Sequence, residues 1–176
     1  MMEPPKKVVI FGIPGSGKST FALQLSDALK LPLYHLDRFF FVENWKERDR
    51  EEFLRIQQKI IDLDIWVIDG NSIQSLEMRY CKADLVLYFR FNRLLCLYRI
   101  FKRIFFKDSR ISDRADGCPE RVSFRLIRYL WGFPKEKKPL IENLKARYPQ
   151  VVFHEITSGC EAKKLFHSLT GDGSKV

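Results

Sequence analysis

The sequence lacks the features that tie a chain to a membrane, a disulfide framework or a zinc cluster. No apolar run approaches the roughly 20 residues that cross a bilayer. The opening residues, 1–7, lack the apolar stretch and small-residue cleavage site of a signal peptide. The four cysteines lie far apart and form no CxxC pair. We therefore expect a cytoplasmic protein with reduced thiols and no membrane partner.

Glycine and proline are also scarce, with 9 and 8 residues in a chain of 176, and neither a low-complexity linker nor an internal repeat is visible. This length and composition predict a single domain over residues 1–176. Charge, by contrast, is unbalanced, because 31 basic side chains face 22 acidic ones and leave a net charge of +9. Such an excess favours polyanionic partners, and it does not distinguish nucleotide phosphates from nucleic acid.

Short apolar runs alternate with amphipathic stretches along the whole chain. The runs are nearly continuous in Val, Ile, Leu and Phe, which is typical of parallel strands covered on both faces. The alternation predicts a layered α/β fold. The predicted strands are 7–11, 33–36, 65–68, 85–89 and 151–156, and the predicted helices are 18–30, 49–63, 92–107, 119–131 and 161–169. Asp49 and Asn92 are the expected N-caps of two of these helices.

A phosphate-binding motif, G-x-x-x-x-G-K-S, lies between the first predicted strand and the first predicted helix. Its glycines free backbone N–H groups that point at phosphate oxygens, and the following helix adds its positive end. Lys18 can reach the terminal phosphates, Ser19 can bind Mg²⁺, and Thr20 can donate to an inner phosphate. The motif therefore predicts ATP binding with Mg²⁺. The expected ATP-binding residues are Gly12, Pro14, Gly15, Ser16, Gly17, Lys18, Ser19 and Thr20.

Two carboxylates follow other predicted strands, at the edge where ligands of doubly wound sheets bind. Asp69 comes after 65–68 and is a candidate metal ligand of the Walker B type, although an Asp-Gly pair also forms ordinary turns. Asp37 ends the second run and either orients an acceptor hydroxyl, holds metal-bound water or caps the next element. His35 lies inside that run, and we interpret it as a core or boundary histidine rather than a base.

Arginines flank an irregular polar stretch, 108–118, which has the length of a binding loop. Arg99 and Arg103 lie four residues apart and share one helix face. Arg121, Arg125 and Arg128 form a second stripe. Arginines that neutralise a transferring phosphoryl group accelerate its transfer, so we expect at least two of the five to contact phosphates and name Arg99 and Arg103 as catalytic candidates. Solvated helix faces or a nucleic-acid patch are the alternatives.

Residues after the second and third strands are candidates for acceptor binding. Arg48 and Arg79 are the candidate residues in these regions. Trp45 lies beside Arg48, and its large ring is as well suited to the core.

These residues together resemble one family. The matching segments include the phosphate loop, His35-Leu36-Asp37, Trp45, residues 47–53, residues 66–71, Arg79 with Ala83-Asp84, Cys96 to Arg99, residues 117–120 and Trp131. The chain is similar to the small bacterial topology modulation proteins (FlaR-like) of the adenylate-kinase-like P-loop superfamily, over about residues 7–166.

The resemblance implies a three-layer fold with a five-stranded parallel sheet in the order 2-3-1-4-5, helices on both faces and a lid near residues 104–128. It implies ATP with Mg²⁺ at residues 12–20 and places the loop around Ser158 against the adenine ring. Asp69-Gly70 matches a pair found in nucleoside monophosphate kinases. Asn71, however, stands where those kinases carry an aromatic residue followed by Pro and Arg. This departure weakens the case for a nucleoside monophosphate acceptor and makes Asn71 a candidate substrate contact.

Two functions follow as hypotheses. The first is an ATP-dependent phosphotransferase acting on a small acceptor, resembling nucleotide or shikimate-type kinases. In it, Lys18 bridges the donor phosphates, Arg99 and Arg103 stabilise the transferring group, and Asp37 orients the acceptor. The second is an ATP-responsive regulator that contacts DNA through the basic surface between residues 90 and 128. The family name suggests the second, but the sequence contains no DNA-reading motif.

Overall fold

The computed structural model describes residues 4–42, 46–105 and 124–171. Its central feature is a parallel sheet with the strand order β2-β5-β1-β6-β7. Numbered among themselves along the chain, these five strands follow the order 2-3-1-4-5, so the expected topology is confirmed. The strands of this sheet are β1 (Lys7–Gly12), β2 (Leu33–His35), β5 (Trp66–Asp69), β6 (Leu85–Phe89) and β7 (Val152–Ile156). Two further short strands, β3 (Phe41–Val42) and β4 (Lys46–Glu47), pair antiparallel beside it.

Helices cover both faces of the sheet, which confirms the three-layer arrangement. On one face, Phe21 of α1 contacts both Phe89 of β6 and Phe166 of α7. On the other face, Tyr88 of β6 contacts Phe133 of α6. The helices are α1 (Lys18–Leu29), α2 (Leu36–Phe40), α3 (Arg50–Ile61), α4 (Leu76–Tyr80), α5 (Arg93–Phe105), α6 (Phe124–Arg147) and α7 (Gly159–Thr170). Over the described ranges, none of them has both the length and the apolar character needed to span a bilayer.

Local signals in the sequence account for several helix starts. Asp49 accepts a hydrogen bond from the backbone N–H of Glu52 at 3.0 Å, so it caps α3 as predicted. Asn92 accepts bonds from the N–H groups of Leu94 and Leu95, at 2.9 and 3.3 Å, and caps α5. These side chains satisfy donors that the first helical turn leaves unpaired, and they fix where each helix leaves the sheet.

Two predicted elements differ from the structure. The second strand ends at His35 and α2 begins at Leu36, so Asp37 lies in the first turn of a short helix rather than at a strand end. The helix predicted for 119–131 is described from Phe124 and continues to Arg147, through Pro134 and Pro139. Proline disfavours a helix interior, but buried side chains hold this helix on the sheet on both sides of the two prolines. These side chains are Leu130, Phe133, Ile141 and Leu144.

Candidate active site

The phosphate loop joins β1 to α1 and is shaped by close backbone packing. Gly15 has φ +77, and a Cβ atom built on it would lie 2.5 Å from the carbonyl oxygen of Cys96 in α5. Helix α5 therefore lies directly against the loop, at a distance that only glycine allows. Gly12 is equally confined, because a Cβ atom there would lie 2.2 Å from the carbonyl oxygen of Phe89.

The N–H groups of Gly12, Ile13 and Ser16 are bonded within the chain, whereas the start of α1 carries no side-chain cap. Gly17 is the N-cap of α1 and offers no side-chain acceptor to the first helical turn. Free N–H groups at a helix start, together with the helix dipole, form a phosphate site. The Nζ atom of Lys18 lies 3.3 Å from the carbonyl oxygen of Ile13 and donates to it across the loop. Ser19 and Thr20 follow in the first turn of α1.

Asp69 is the last residue of β5 and lies beside this loop. Its carboxylate is buried, and Oδ2 lies 3.0 Å from Nδ1 of His35. Burial raises the pKa of Asp69, but the hydrogen bond from His35, the charges of Lys18 and His35, and the Ser19 hydroxyl outweigh it, so the pKa is lowered. Asp69 is therefore ionised at neutral pH. Its Oδ1 atom has no hydrogen-bond partner within 3.5 Å among the residues described.

These groups fit a magnesium ion. Mg²⁺ prefers oxygen ligands and is usually bound by one or two protein groups together with substrate phosphates and water. The free Oδ1 of Asp69 and the Ser19 hydroxyl are oxygen donors of this kind beside Lys18. Within residues 4–42, 46–105 and 124–171, no cluster of three or more His, Cys, Asp or Glu side chains offers a metal cage.

Among the predicted arginines whose side chains the structure describes, Arg99 lies at the loop. Its Nη1 atom donates to the carbonyl oxygen of Ser16 at 3.2 Å, and its guanidinium lies 5.3 Å from the centre of the Phe91 ring. Arg128 is exposed on α6. Arg121 and the side chains of Arg103 and Arg125 fall outside what the structure describes, as does most of the predicted lid, so their roles stay predictions.

The residues predicted to bind the acceptor differ from one another in exposure and in their contacts. Asp37 is exposed in the first turn of α2, and its charge acts on Tyr129 of α6. Arg48 donates to the carbonyl oxygen of Phe39 at 2.7 Å and forms an ion pair with Glu52. Arg48 thus ties the segment before α3 to α2, and its guanidinium is partly occupied by these contacts.

Arg79 does not fit the expected role of a direct acceptor contact. It is fully buried and donates to the carbonyl oxygens of Gly70 and Ser72, at 3.1 and 2.9 Å. Burial lowers its pKa to about 9, against the opposing charges of Asp69 and Tyr129. A side chain with no exposed surface cannot touch a ligand in this state, and its contacts instead fix the turn that follows β5.

Asn71 lies in that turn and connects it to the phosphate loop. Its Oδ1 atom accepts a hydrogen bond from the N–H of Gly12 at 2.9 Å. The turn directly after Asp69 thus holds the N–H group of Gly12, the first residue of the loop. The expectation that Asn71 also contacts the acceptor stays a prediction.

Ser158 is the N-cap of α7, and its hydroxyl accepts from the N–H of Glu161 at 3.2 Å. The neighbouring Thr157 borders a cavity of about 570 Å³ that reaches Ile13 of the phosphate loop. Other residues lining this cavity are Phe91, Arg93, Trp131 and Pro134. The guanidinium of Arg93 lies 5.3 Å from the ring centre of Trp131. A nucleotide contact at Ser158 itself stays a prediction.

Sequence reasoning missed the partners that tertiary structure supplies. His35 was interpreted as a core or boundary residue, and the structure joins it to Asp69. The signal that could have found this pair is register, since both residues end neighbouring parallel strands. The pairing of these two residues can be predicted only when the order of the strands in the sheet is known.

No protein-family model matches this chain, and neither does the sequence of any curated protein. Solved structures do match. A shikimate kinase from Acinetobacter baumannii, in complex with shikimate, is 16% identical with a TM-score of 0.58, covering 97% of this chain and 96% of that one. A shikimate kinase from Bacteroides thetaiotaomicron is 12% identical with a TM-score of 0.57, covering 95% and 97%. A gluconokinase from Sinorhizobium meliloti 1021 is 12% identical with a TM-score of 0.56, covering 98% and 100%.

At such low identity the similarity shows the fold alone. The chain has the parallel α/β fold of these kinases over nearly its whole length. The fold is thus established, and the reaction remains to be argued from the site.

Proposed function

We propose that the protein is an ATP-dependent phosphotransferase acting on a small acceptor. The observation that carries the proposal is the grouping of Lys18, Ser19 and the ionised Asp69 at the mouth of an intact phosphate loop. Positive and oxygen-donor groups at that point are what phosphoryl transfer requires, because catalysis of this reaction is mainly positioning and charge neutralisation.

Each group has a role in this proposal. The loop amides and Lys18 hold the donor phosphates. Ser19 and Asp69 would hold Mg²⁺, which, when bound, neutralises charge on those phosphates. Arg99 donates to the Ser16 carbonyl oxygen of the loop, and its proposed role is to exchange that oxygen for a phosphate oxygen when ATP binds. Arg103 is its proposed companion on the same helix.

The acceptor is proposed to bind on the β2 and β5 side of the loop. Asp37 is the proposed orienting group there, because it is exposed and stands two residues after His35. Kinship with the topology modulation proteins is part of the same proposal and is supported by the motifs quoted above, not by the structural neighbours. The alternative of an ATP-responsive DNA-binding regulator gains no support from the described residues.

A screen for phosphate transfer tests the function. Purified protein with ATP and Mg²⁺ is offered nucleosides, sugars, hydroxy acids and nucleoside monophosphates, and product formation is followed by ³¹P NMR. We expect ATP-dependent phosphorylation of at least one of them. Binding of ATP without turnover on any would count against the enzyme and leave a nucleotide-binding protein.

Lys18→Ala tests the donor site in the same material. We expect a loss of ATP affinity of tenfold or more by calorimetry, because the lysine charge no longer neutralises the terminal phosphates. Lys163→Ala, on the exposed side of α7, is the matched control and should leave affinity unchanged. Equal affinities of the wild type and Lys18→Ala would contradict the assignment of the site.

A further inference from the structure

We propose that His35 is a positioning residue that sets the orientation of the Asp69 carboxylate. His35 ends β2, Asp69 ends β5, and the two residues are register partners in neighbouring parallel strands. Partners of this kind project their side chains from the same side of the sheet. The contact between Nδ1 and Oδ2, at 3.0 Å, follows from this register. The inference rests on the proposed function, since it concerns the same site.

The proton in this contact lies on the histidine. An ionised carboxylate only accepts hydrogen bonds, so Nδ1 of His35 must carry the hydrogen. The imidazole is nearly buried, with 11% of the side chain exposed, and the carboxylate has 5% exposed. Water therefore competes poorly for the contact, and the bond to a charged acceptor is of the stronger kind.

The consequence is that the two carboxylate oxygens differ. Oδ2 is engaged by His35, whereas Oδ1 is buried and has no partner in the described part of the chain. An unpaired buried oxygen of a charged group is costly unless a ligand satisfies it. His35 thus fixes the carboxylate so that Oδ1 is the oxygen left for the metal or its water. Without His35, the carboxylate can rotate, and Oδ1 is no longer held in one position.

Interactions behind a metal-binding carboxylate tune affinity for the metal more than affinity for the rest of the ligand. The proposal therefore predicts that His35 contributes to the magnesium-dependent part of ATP binding. The magnesium-independent part depends on the loop amides and Lys18, whereas the side-chain hydrogen bond of His35 goes to Asp69.

The test compares three variants. His35→Leu has no donor, and His35→Asn keeps an N–H group near the position of Nδ1. His154→Leu is the matched control, because His154 is exposed on the outer strand β7. ATP affinity is measured by calorimetry with excess Mg²⁺ and again with excess EDTA, and thermal melting confirms that each variant is folded.

We expect His35→Leu to weaken ATP binding about tenfold in Mg²⁺ and to leave the affinity in EDTA unchanged. His35→Asn should restore the affinity in Mg²⁺ to within about threefold of wild type, and His154→Leu should have no effect in either condition. In an Asp69→Asn background, which removes the charge that His35 orients, His35→Leu should add no further loss in Mg²⁺.

Three results would overturn the proposal. The first is an equal loss in Mg²⁺ and in EDTA, which would indicate a merely structural role. The second is the absence of any effect, and the third is a full additional loss in the Asp69→Asn background. A wild-type protein that binds no ATP would instead refute the proposed function, and this inference with it. If His35→Leu does not fold, the comparison of wild type with His35→Asn and Asp69→Ala still decides, through ¹⁵N NMR. The Nδ1–H signal of His35 must be protected in the wild type and exposed in Asp69→Ala, which has no acceptor at this position.

Discussion

At the scale of single residues, the phosphate loop is constrained by space as well as by charge. Gly15→Ala would place a methyl group 2.5 Å from the Cys96 carbonyl and 2.8 Å from the Ile100 side chain, at a φ of +77. Both the contact and the backbone angle oppose the substitution, so we expect a loss of about 1–3 kcal/mol in the free energy of unfolding. Chemical denaturation measures this loss.

Gly159→Ala is the control for that prediction. Nothing lies within 4 Å of a Cβ atom at Gly159, which begins α7. Alanine also favours a helix over glycine by up to about 1 kcal/mol, so this variant should be neutral or slightly more stable. If Gly15→Ala were as stable as Gly159→Ala, α5 would not lie as close to the loop as the structure shows.

The sequence predicts single residues well where a motif fixes them by spacing. Lys18 and Ser19 lie at the loop because the motif places them there. Asn71 and Arg79 show the limit, since one bonds the loop and the other is buried under the turn after β5. Their partners are distant in sequence, and burial depends on how helices pack. No local pattern distinguishes a buried arginine from a ligand-binding one.

At the scale of elements, α7 depends on its N-terminal cap. The Ser158 hydroxyl accepts from Glu161 N–H, and the Glu161 carboxylate accepts in turn from Thr157 N–H at 2.7 Å. Ser158→Ala removes one of these bonds and should lower the free energy of unfolding by about 1 kcal/mol. Ser158→Asp keeps an acceptor there and should retain wild-type stability, as measured by thermal melting.

The same pair of variants tests the predicted nucleotide contact of Ser158. If the residue only caps α7, both variants bind ATP as the wild type does. A selective loss of ATP affinity in Ser158→Asp would support a contact with the nucleotide. Ser168→Ala, on the exposed side of the same helix, controls for general effects of removing a hydroxyl.

Elements were predictable to the extent that periodicity and capping define them. The starts of α3 and α5 follow from Asp49 and Asn92, whose side chains accept from nearby amides. The extension of α6 was not predictable, because Pro134 and Pro139 are local signals against a helix. The helix persists because Phe133 and Ile141 are buried on the sheet, and that packing outweighs local preference.

At the scale of the whole molecule, buried tyrosines give stability a dependence on alkaline pH. Burial raises the pKa of Tyr88 to about 12, with Glu155 adding to the effect and Arg90 opposing it. An unfolded tyrosine titrates near about pH 10. Between these values the folded state keeps a proton that the unfolded state releases, so the free energy of unfolding falls as pH rises.

Tyr88→Phe should remove this contribution. We expect its free energy of unfolding to fall less steeply between pH 10 and 12, by up to about 1.4 kcal/mol per pH unit. Near pH 7 the change should be small, because the hydroxyl has no hydrogen-bond partner in the described chain and the ring contacts with Phe11 and Phe133 remain. Urea unfolding at a series of pH values measures both effects.

Two comparisons make that measurement specific. Arg79 acts with the opposite sign, because its pKa is lowered to about 9, but it is present in both proteins and cancels in the difference. Tyr98→Phe, on the exposed side of α5, is the control variant. Identical pH profiles for wild type and Tyr88→Phe would show that Tyr88 is not buried as described.

At the same scale, the strand order was predicted from the family resemblance and not from the pattern of apolar residues. Apolar runs such as 65–68 indicate buried parallel strands, but they carry no information about neighbours. Strand order depends on pairings between residues far apart, such as Val8 with Val67 and with Leu85. The family resemblance supplied the order that the structure then confirmed.

The turn after β5 has a practical consequence for anyone redesigning this chain. Asn71 bonds the phosphate loop, and Asp69, two residues before it, lies at the proposed metal position. Residues 69–71 therefore affect both the donor site and the proposed acceptor side. Replacing this turn with a different loop would therefore also be expected to weaken binding of the donor nucleotide. Changes of specificity are therefore better introduced on the exposed residues of α2, such as Arg38.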